Sequence, residues 1–189
     1  MARKKDPSEK FGLHADGSKP PQDKQICKVN LRPAAESDLT IMNDIYNHYV
    51  LHSTCTYQEE IEPLSGRYEW FRNHDPKHPV IVAEHENQVV GWGSLSPYHR
   101  RSAYRNTVEN SVYVHHDWHR RGIGSLLLAD LIARARGLGH HAIIAAIDAD
   151  QTESVRLHAK YNFERVGHLK HVGLKFGRWL DVIYMELLL

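Results

Sequence analysis

At 189 residues the chain suits one domain, since single cores usually stop growing below about 250–300 residues. Apolar residues make up 41% and charged residues 25%, which excludes a wholly disordered, collagenous or coiled-coil chain. The formal net charge of +1 excludes a global field of the kind that gathers nucleic acid or acidic membranes, so neither is an expected partner.

Residues 1–25 hold five apolar side chains, three prolines, and six lysines or arginines against four acids, and read as a flexible tail. Residues 26–189 form the expected domain, close to neutral with 18 basic and 19 acidic residues. The start MARKKDPSEK lacks the apolar stretch of a secretion signal, and Cys27 and Cys55 cannot build a disulfide framework, so a cytoplasmic setting is expected. The longest apolar run, residues 142–147, is far too short for a membrane span.

Cys27, Val29 and Leu31 alternate with polar residues before Pro33, which predicts a first strand. Asp38 is placed to cap a helix in which Leu39, Met42, Ile45, Tyr46, Tyr49 and Val50 recur at three- and four-residue spacing. A short second helix follows Ser65. VIVAEHE, a polar Glu86–Asn87 turn and VVGWGSLS then predict an antiparallel hairpin. Residues 108–115 read as another strand, and a helix from Gly122 carries Leu126, Leu127, Leu131 and Ile132 until Gly137 and Gly139 end it. Residues 142–147 suit a strand buried on both faces. A helix over 152–161 and two strands, about 164–170 and 179–187, complete the chain. This β-α-α-β-β-β-α-β-α-β-β order predicts an α/β (α+β) fold with a mixed sheet and helices on both faces.

The most informative stretch is SVYVHHDWHRRGIGSLLLADLIARA, residues 111–135: a strand, a short loop and a helix. Gly122 and Gly124 allow close backbone approach, the first-turn N–H groups of the helix point at a guest, and Arg120 and Arg121 add charge, so a pyrophosphate is the expected ligand. The loop has neither the Lys-Ser/Thr of a P-loop nor the third glycine of a dinucleotide fingerprint, where Leu127 stands. The alternative is a tight, solvated strand-to-helix turn.

Here the sequence resembles the GCN5-related N-acetyltransferase (GNAT) superfamily, whose loop Gln/Arg-x-x-Gly-x-Gly/Ala appears as His119-Arg120-Arg121-Gly122-Ile123-Gly124. It looks more specifically like the phosphinothricin and methionine sulfone acetyltransferase group, through YHRRSAY (98–104), TVENSVYV (107–114), SVRLH (154–158) and KFGRWLD (175–181). The resemblance implies a mostly antiparallel sheet with a V-shaped strand splay, acetyl-CoA as cosubstrate, and a homodimer. It implies that Val112, Tyr113 and Val114 bind the acetyl and pantetheine arm, and that Arg120, Arg121, Gly122, Ile123, Gly124 and Ser125 hold the phosphates. Ser154, and Gln151 where many relatives have Asn, would also contact the cosubstrate. Asn162-Phe163 replaces the family's Gly-Phe turn, and Asn tolerates the left-handed backbone that glycine would supply.

Acyl transfer needs a neutral amine. Deprotonating a lysine-like amine (pKa ~10.4) at pH 7 costs roughly 4.6 kcal/mol, so a base is useful. Glu109, a carboxylate inside a strand on the same side as Ser111 and Tyr113, is the candidate, the alternative being a solvated edge-strand carboxylate. His158 stands where many superfamily members carry a tyrosine acid, and is either a proton donor to the departing thiolate or a hydrogen-bonded helix histidine. Arg101, Tyr104, Lys175 and Arg178 suit recognition of a small amino-acid-like substrate, since a guanidinium matches carboxylate or phosphinate. In the phosphinothricin group a lysine tends to stand at His99. Phe176 and Trp179 read as pocket, core or interface residues. His115, His116 and His119 invite a zinc reading, as do His140 with His141 and His168 with His171, but zinc usually takes three or four protein ligands and the first cluster falls in the expected phosphate loop, so no metal is expected. Rival functions are acetylation of a polypeptide amine and a non-catalytic acyl-CoA or nucleic-acid binding module.

Overall fold

The computed structural model describes residues 28–189; the expected tail, residues 1–25, and Cys27 lie outside the described residues. Seven strands form one sheet in the order β1-β2-β3-β4-β5-β7-β6. They are β1 (Asn30–Pro33), β2 (Val80–His85), β3 (Gln88–Pro97), β4 (Thr107–Val114), β5 (Ala142–Asp148), β6 (Glu164–Lys175) and β7 (Arg178–Leu188). Only β4 and β5 run parallel; the other five pairings are antiparallel. The helices are α1 (Leu39–His52), α2 (Leu64–Arg72), α3 (Ile123–Gly137) and α4 (Thr152–Lys160). Among the described residues, no helix is long and apolar enough to cross a membrane.

Period-two alternation divides the strands between two cores. Ile81 and Ala83 of β2 pack with Leu127, Leu128 and Leu131 of α3, while Val80 and Val82 pack with Leu39, Met42 and Ile45 of α1. Each fully buried leucine of α3 contributes about 1.5–3 kcal/mol. The helix lies close because β3 offers it glycine: a Cβ on Gly93 would sit 3.0 Å from Leu131 Cδ1 and 3.1 Å from the Ser111 carbonyl.

The turns follow their residue types. Glu86 and Asn87 both take positive φ, 48° and 64°, the conformation of a two-residue hairpin turn, and Asn162 takes φ 65° as its amide side chain permits. Two expectations need correction. Asp38 makes no cap hydrogen bond to α1; its carboxylate accepts from the Ala35 N–H at 2.8 Å and from Arg32, closing the short turn ahead of the helix. The last hairpin is longer than the apolar pattern suggested, because β6 carries mostly exposed residues and two bulges that hide its period.

Candidate active site

The site begins where two strands part. The His115 N–H donates to the Val90 carbonyl at 2.9 Å and the Tyr98 N–H to the Thr107 carbonyl at 3.3 Å. Odd-numbered residues of β4 therefore spend their backbone groups on β3, and even-numbered ones aim at β5. Yet β5 pairs only with Thr107, Val108 and Glu109. Past Glu109, the backbone groups of Asn110, Val112 and Val114 face an opening, a ready edge for an extended amide-bearing chain. The Val114 carbonyl is already taken by the Tyr49 hydroxyl, which also lies 2.6 Å from His119 Nε2. Val114 thus offers its N–H alone.

Alternation sends the Glu109 side chain to the α1–α2 face with Ser111 and Tyr113, while Val108, Val112 and Val114 pack on the α3 side. The β3–β4 register runs without a bulge, so the side assignment made from sequence stands. Glu109 is half-buried, and burial alone raises its carboxyl pKa. Its charge is felt by Tyr184 of β7, whose hydroxyl is pushed up by burial, then by Glu109 and Tyr98. Tyr113 joins an aromatic wall with Trp92 and Tyr46, at ring separations of 4.7 and 5.4 Å.

His158 is buried, and the structure gives its two nitrogens defined partners. Nδ1 lies 2.8 Å from the Ser154 carbonyl, so it carries the proton, and Nε2 accepts from Asn110 Nδ2 at 3.0 Å. Burial lowers its pKa, which keeps the ring neutral at pH 7. Of the two readings the sequence left open, these contacts favour the hydrogen-bonded one: the nitrogen nearest β4 holds a lone pair, and the ring positions Asn110. The other amide atom of that residue, Asn110 Oδ1, is buried without a partner and sits at the first open position of β4. Sequence reasoning missed Asn110. Its signal was present, an amide on the apolar side of a strand among Val108, Val112 and Val114.

The segment read from sequence as an anion loop runs directly into α3. Arg120 and Gly122 take positive φ of 60° and 82°, turning the loop backbone inward ahead of α3. The start of α3 has no side-chain cap and no acidic residue in its first turn, so its leading N–H groups are open to an anion. A Cβ on Gly122 would meet nothing within 4 Å, which leaves room for a ligand against the backbone. Ser125 Oγ lies 2.7 Å from the Tyr161 hydroxyl, and Lys160 Nζ reaches 3.5 Å from that Oγ, adding a cation the sequence did not single out. Arg121 is drawn aside, donating to the Asp117 carbonyl at 3.2 Å and stacking 4.5 Å over Trp118. Uncapped helix, open glycine and orphaned Asn110 oxygen together fit a pyrophosphate-bearing thioester with an amide arm.

The residues expected to hold the amine substrate divide into two groups. Arg101 and Tyr104 occupy the exposed loop that leads into β4, and among the described residues no carboxylate pairs with Arg100 or Arg101. Arg178 is bound to Asp150 at 2.8 Å in an exposed ion pair. Lys175 is buried, and its ammonium donates to the Ser53 and Thr56 carbonyls at 2.8 and 2.7 Å, which corrects its reading as a substrate ligand. It anchors the segment after α1, which Tyr57 also ties down, its hydroxyl lying 3.1 Å from both Asp148 Oδ2 and the Asp181 carbonyl. Gln151 touches the same segment weakly, 3.3 Å from Thr54 Oγ1. Ser154 lies on α4, its carbonyl engaged by His158. Lys175→Met is expected to strand both carbonyls and cost about 1–3 kcal/mol of stability while acetyl-CoA affinity is kept. A thermal melt identical to that of the unaltered chain would contradict this anchoring role.

A mixed sheet splayed after one parallel pairing, with a glycine-containing loop at the head of the following helix, is the arrangement of an acetyltransferase fold. Residues 42–163 match the acetyltransferase (GNAT) family, and the chain belongs to it. It is 38% identical over 161 residues to an L-methionine sulfoximine/L-methionine sulfone acetyltransferase of Pseudomonas aeruginosa, covering 84% of this chain and 94% of that one. A solved phosphinothricin acetyltransferase from Sinorhizobium meliloti in complex with acetyl-CoA superposes with TM-score 0.83 at 34% identity, covering 85% of this chain and 88% of the other. A solved ribosomal-protein-alanine N-acetyltransferase from Brucella melitensis superposes with TM-score 0.83 at 41% identity, over 85% and 99% of the two chains. The chain is thus a GNAT acetyltransferase similar to amino-acid N-acetyltransferases.

Proposed function

We propose that the protein transfers the acetyl group of acetyl-CoA to the primary amine of a small amino-acid-like substrate of the phosphinothricin, methionine sulfone or methionine sulfoximine type. The observation that carries this reading is Glu109, a carboxylate with a burial-raised pKa at the last paired residue before β4 and β5 part. Its raised pKa makes it a better base for an ammonium. Backbone groups of Val112 and Val114 hold the pantetheine arm beside Tyr113, and the loop from Arg120 to Ser125 holds the phosphates. Gln151 and Ser154 border the cosubstrate at the head of α4. Glu109 takes the ammonium proton, directly or through water. The amine nitrogen then attacks the thioester carbon, its bond to that carbon forms, the carbon–sulfur bond breaks, and the second nitrogen proton passes through water to the departing thiolate, releasing the amide and coenzyme A thiol while Glu109 returns its proton to solvent.

Direct attack is favoured over a cysteine relay, because burial pushes the Cys55 thiol up and leaves little thiolate at neutral pH. Arg101 and Tyr104 receive the acidic end of the substrate, with Arg178 available once its exposed pair with Asp150 opens. Acetylation of a peptide α-amine is the second reading, favoured by the likeness to the ribosomal-protein-alanine enzyme. The two separate in an assay of free coenzyme A thiol across phosphinothricin, sulfones, sulfoximines, ordinary amino acids, polyamines and peptides. The proposal requires the highest kcat/KM with one of the small amino acids; a strong preference for peptides would overturn it.

A cytoplasmic homodimer belongs to the same proposal. Val166, Leu169, Val172, Leu174, Phe176 and Trp179 are exposed along the β6 edge and hairpin tip, more apolar surface than an edge strand ordinarily leaves to water. Sedimentation at the mass of a single chain would rule the dimer out.

A further inference from the structure

Outside the cofactor loop, four histidines from two distant segments meet. His48 and His52 stand four residues apart on one face of α1, the spacing with which a helix presents two imidazoles to one ion. His115 and His116 follow β4 directly. The ring of His48 lies 4.0 Å from that of His116, His116 lies 4.3 Å from His115, and His52 lies 4.9 Å from His48. All four line one cavity of about 350 Å³, together with Asp44 and Asn47. One ligand atom from each of His115, His116 and Asp117 falls within 4.8 Å of the others.

We propose that His48, His52, His115 and His116, with Asp117 as a further donor, form a binding site for a divalent transition-metal ion of the zinc class. Imidazole suits such ions, which take three or four ligands at about 2.0–2.1 Å. The rings are stacked and not yet aimed at one point, so binding requires side-chain rotation. That rotation is open to them: among the described residues the side chains of His48, His52 and His116 make no hydrogen bond, and the His116 side chain is 44% exposed. In the sequence His115 and His116 stand beside His119. The fold replaces His119, whose Nε2 is engaged by Tyr49, with His48 and His52. An ion here would tie the C-terminal half of α1 to the segment just ahead of the anion loop.

The test is calorimetric titration of zinc chloride into the full chain, stripped with EDTA and held in a non-chelating buffer. One ion per chain is expected. His48→Gln and His116→Gln should each weaken binding at least tenfold, and the double substitution should abolish it, with far-UV circular dichroism unchanged. His78→Gln, distant on the β2 side, should leave affinity intact. Zinc should raise the melting temperature of the unaltered chain and not that of the double variant. Absence of stoichiometric binding, or equal affinity in the double variant, would overturn the site.

Discussion

Glu109→Gln is expected to lower turnover at pH 7 by about 10²–10⁴-fold while acetyl-CoA affinity stays nearly constant. The substitution keeps the shape of the side chain on β4 and removes only the ability to accept a proton. Burial raises the carboxyl pKa, so in the unaltered enzyme the active, ionised form is lost as pH falls through that raised value. The glutamine variant should lack this acidic limb. With a substrate whose amine pKa lies well above the assay pH, the variant should regain rate as pH rises, because hydroxide then removes the proton. A structural Glu109 gives another pattern. A buried carboxylate with a raised pKa opposes folding when ionised, so the glutamine variant should hold or raise the melting temperature at pH 7 in either role; what marks a structural role is the lack of any pH-dependent rescue of rate. Unaltered turnover at pH 7 removes the assignment.

Substitution in the anion loop should separate binding from folding. Gly122→Val places a β-branched residue at φ 82°, a strain of about 1–3 kcal/mol in addition to any effect on the ligand. Gly124→Val carries no such backbone strain, and its Cβ would stand 3.5 Å from Leu157 Cδ2 and 3.7 Å from Val114 Cγ2, ordinary contact distances. If both glycines serve close approach of a pyrophosphate, both variants should weaken acetyl-CoA at least tenfold, about 1.4 kcal/mol, and only Gly122→Val should also lower the melting temperature markedly. Calorimetric affinities equal to that of the unaltered chain would remove the loop from the site.

The contrast between these residues and Lys175 shows what a sequence can carry. The proposed anion loop could be read as a candidate because its features are local: glycines, arginines and a helix start fall within six consecutive residues. The side of β4 that Glu109 faces was legible from strand alternation once the strand was recognised. Lys175 was misread because its partners, the Ser53 and Thr56 carbonyls, lie about 120 residues earlier in the chain, and no spacing encodes that meeting. Tyr49 looked like one more apolar position of α1, yet its hydroxyl ends on the Val114 carbonyl. His158 was placed correctly in the chain, but its protonation state depends on Ser154 and Asn110, which only the fold brings to its two nitrogens. Long strands with bulges, such as β6, lose the period on which reading rests.

In the proposed function the edge of β4 beyond Glu109 receives the acetyl-bearing arm on one side and an amine on the other. A crystal structure of the chain with acetyl-CoA tests it most directly. The expected result is the pyrophosphate against the N–H groups at the start of α3, the arm hydrogen-bonded to the backbone of Val112 and the N–H of Val114, and the thioester at the parting of β4 and β5 within one water of Glu109. Acetyl-CoA seated elsewhere, or a thioester remote from Glu109 with β4 and β5 closed together, would contradict it.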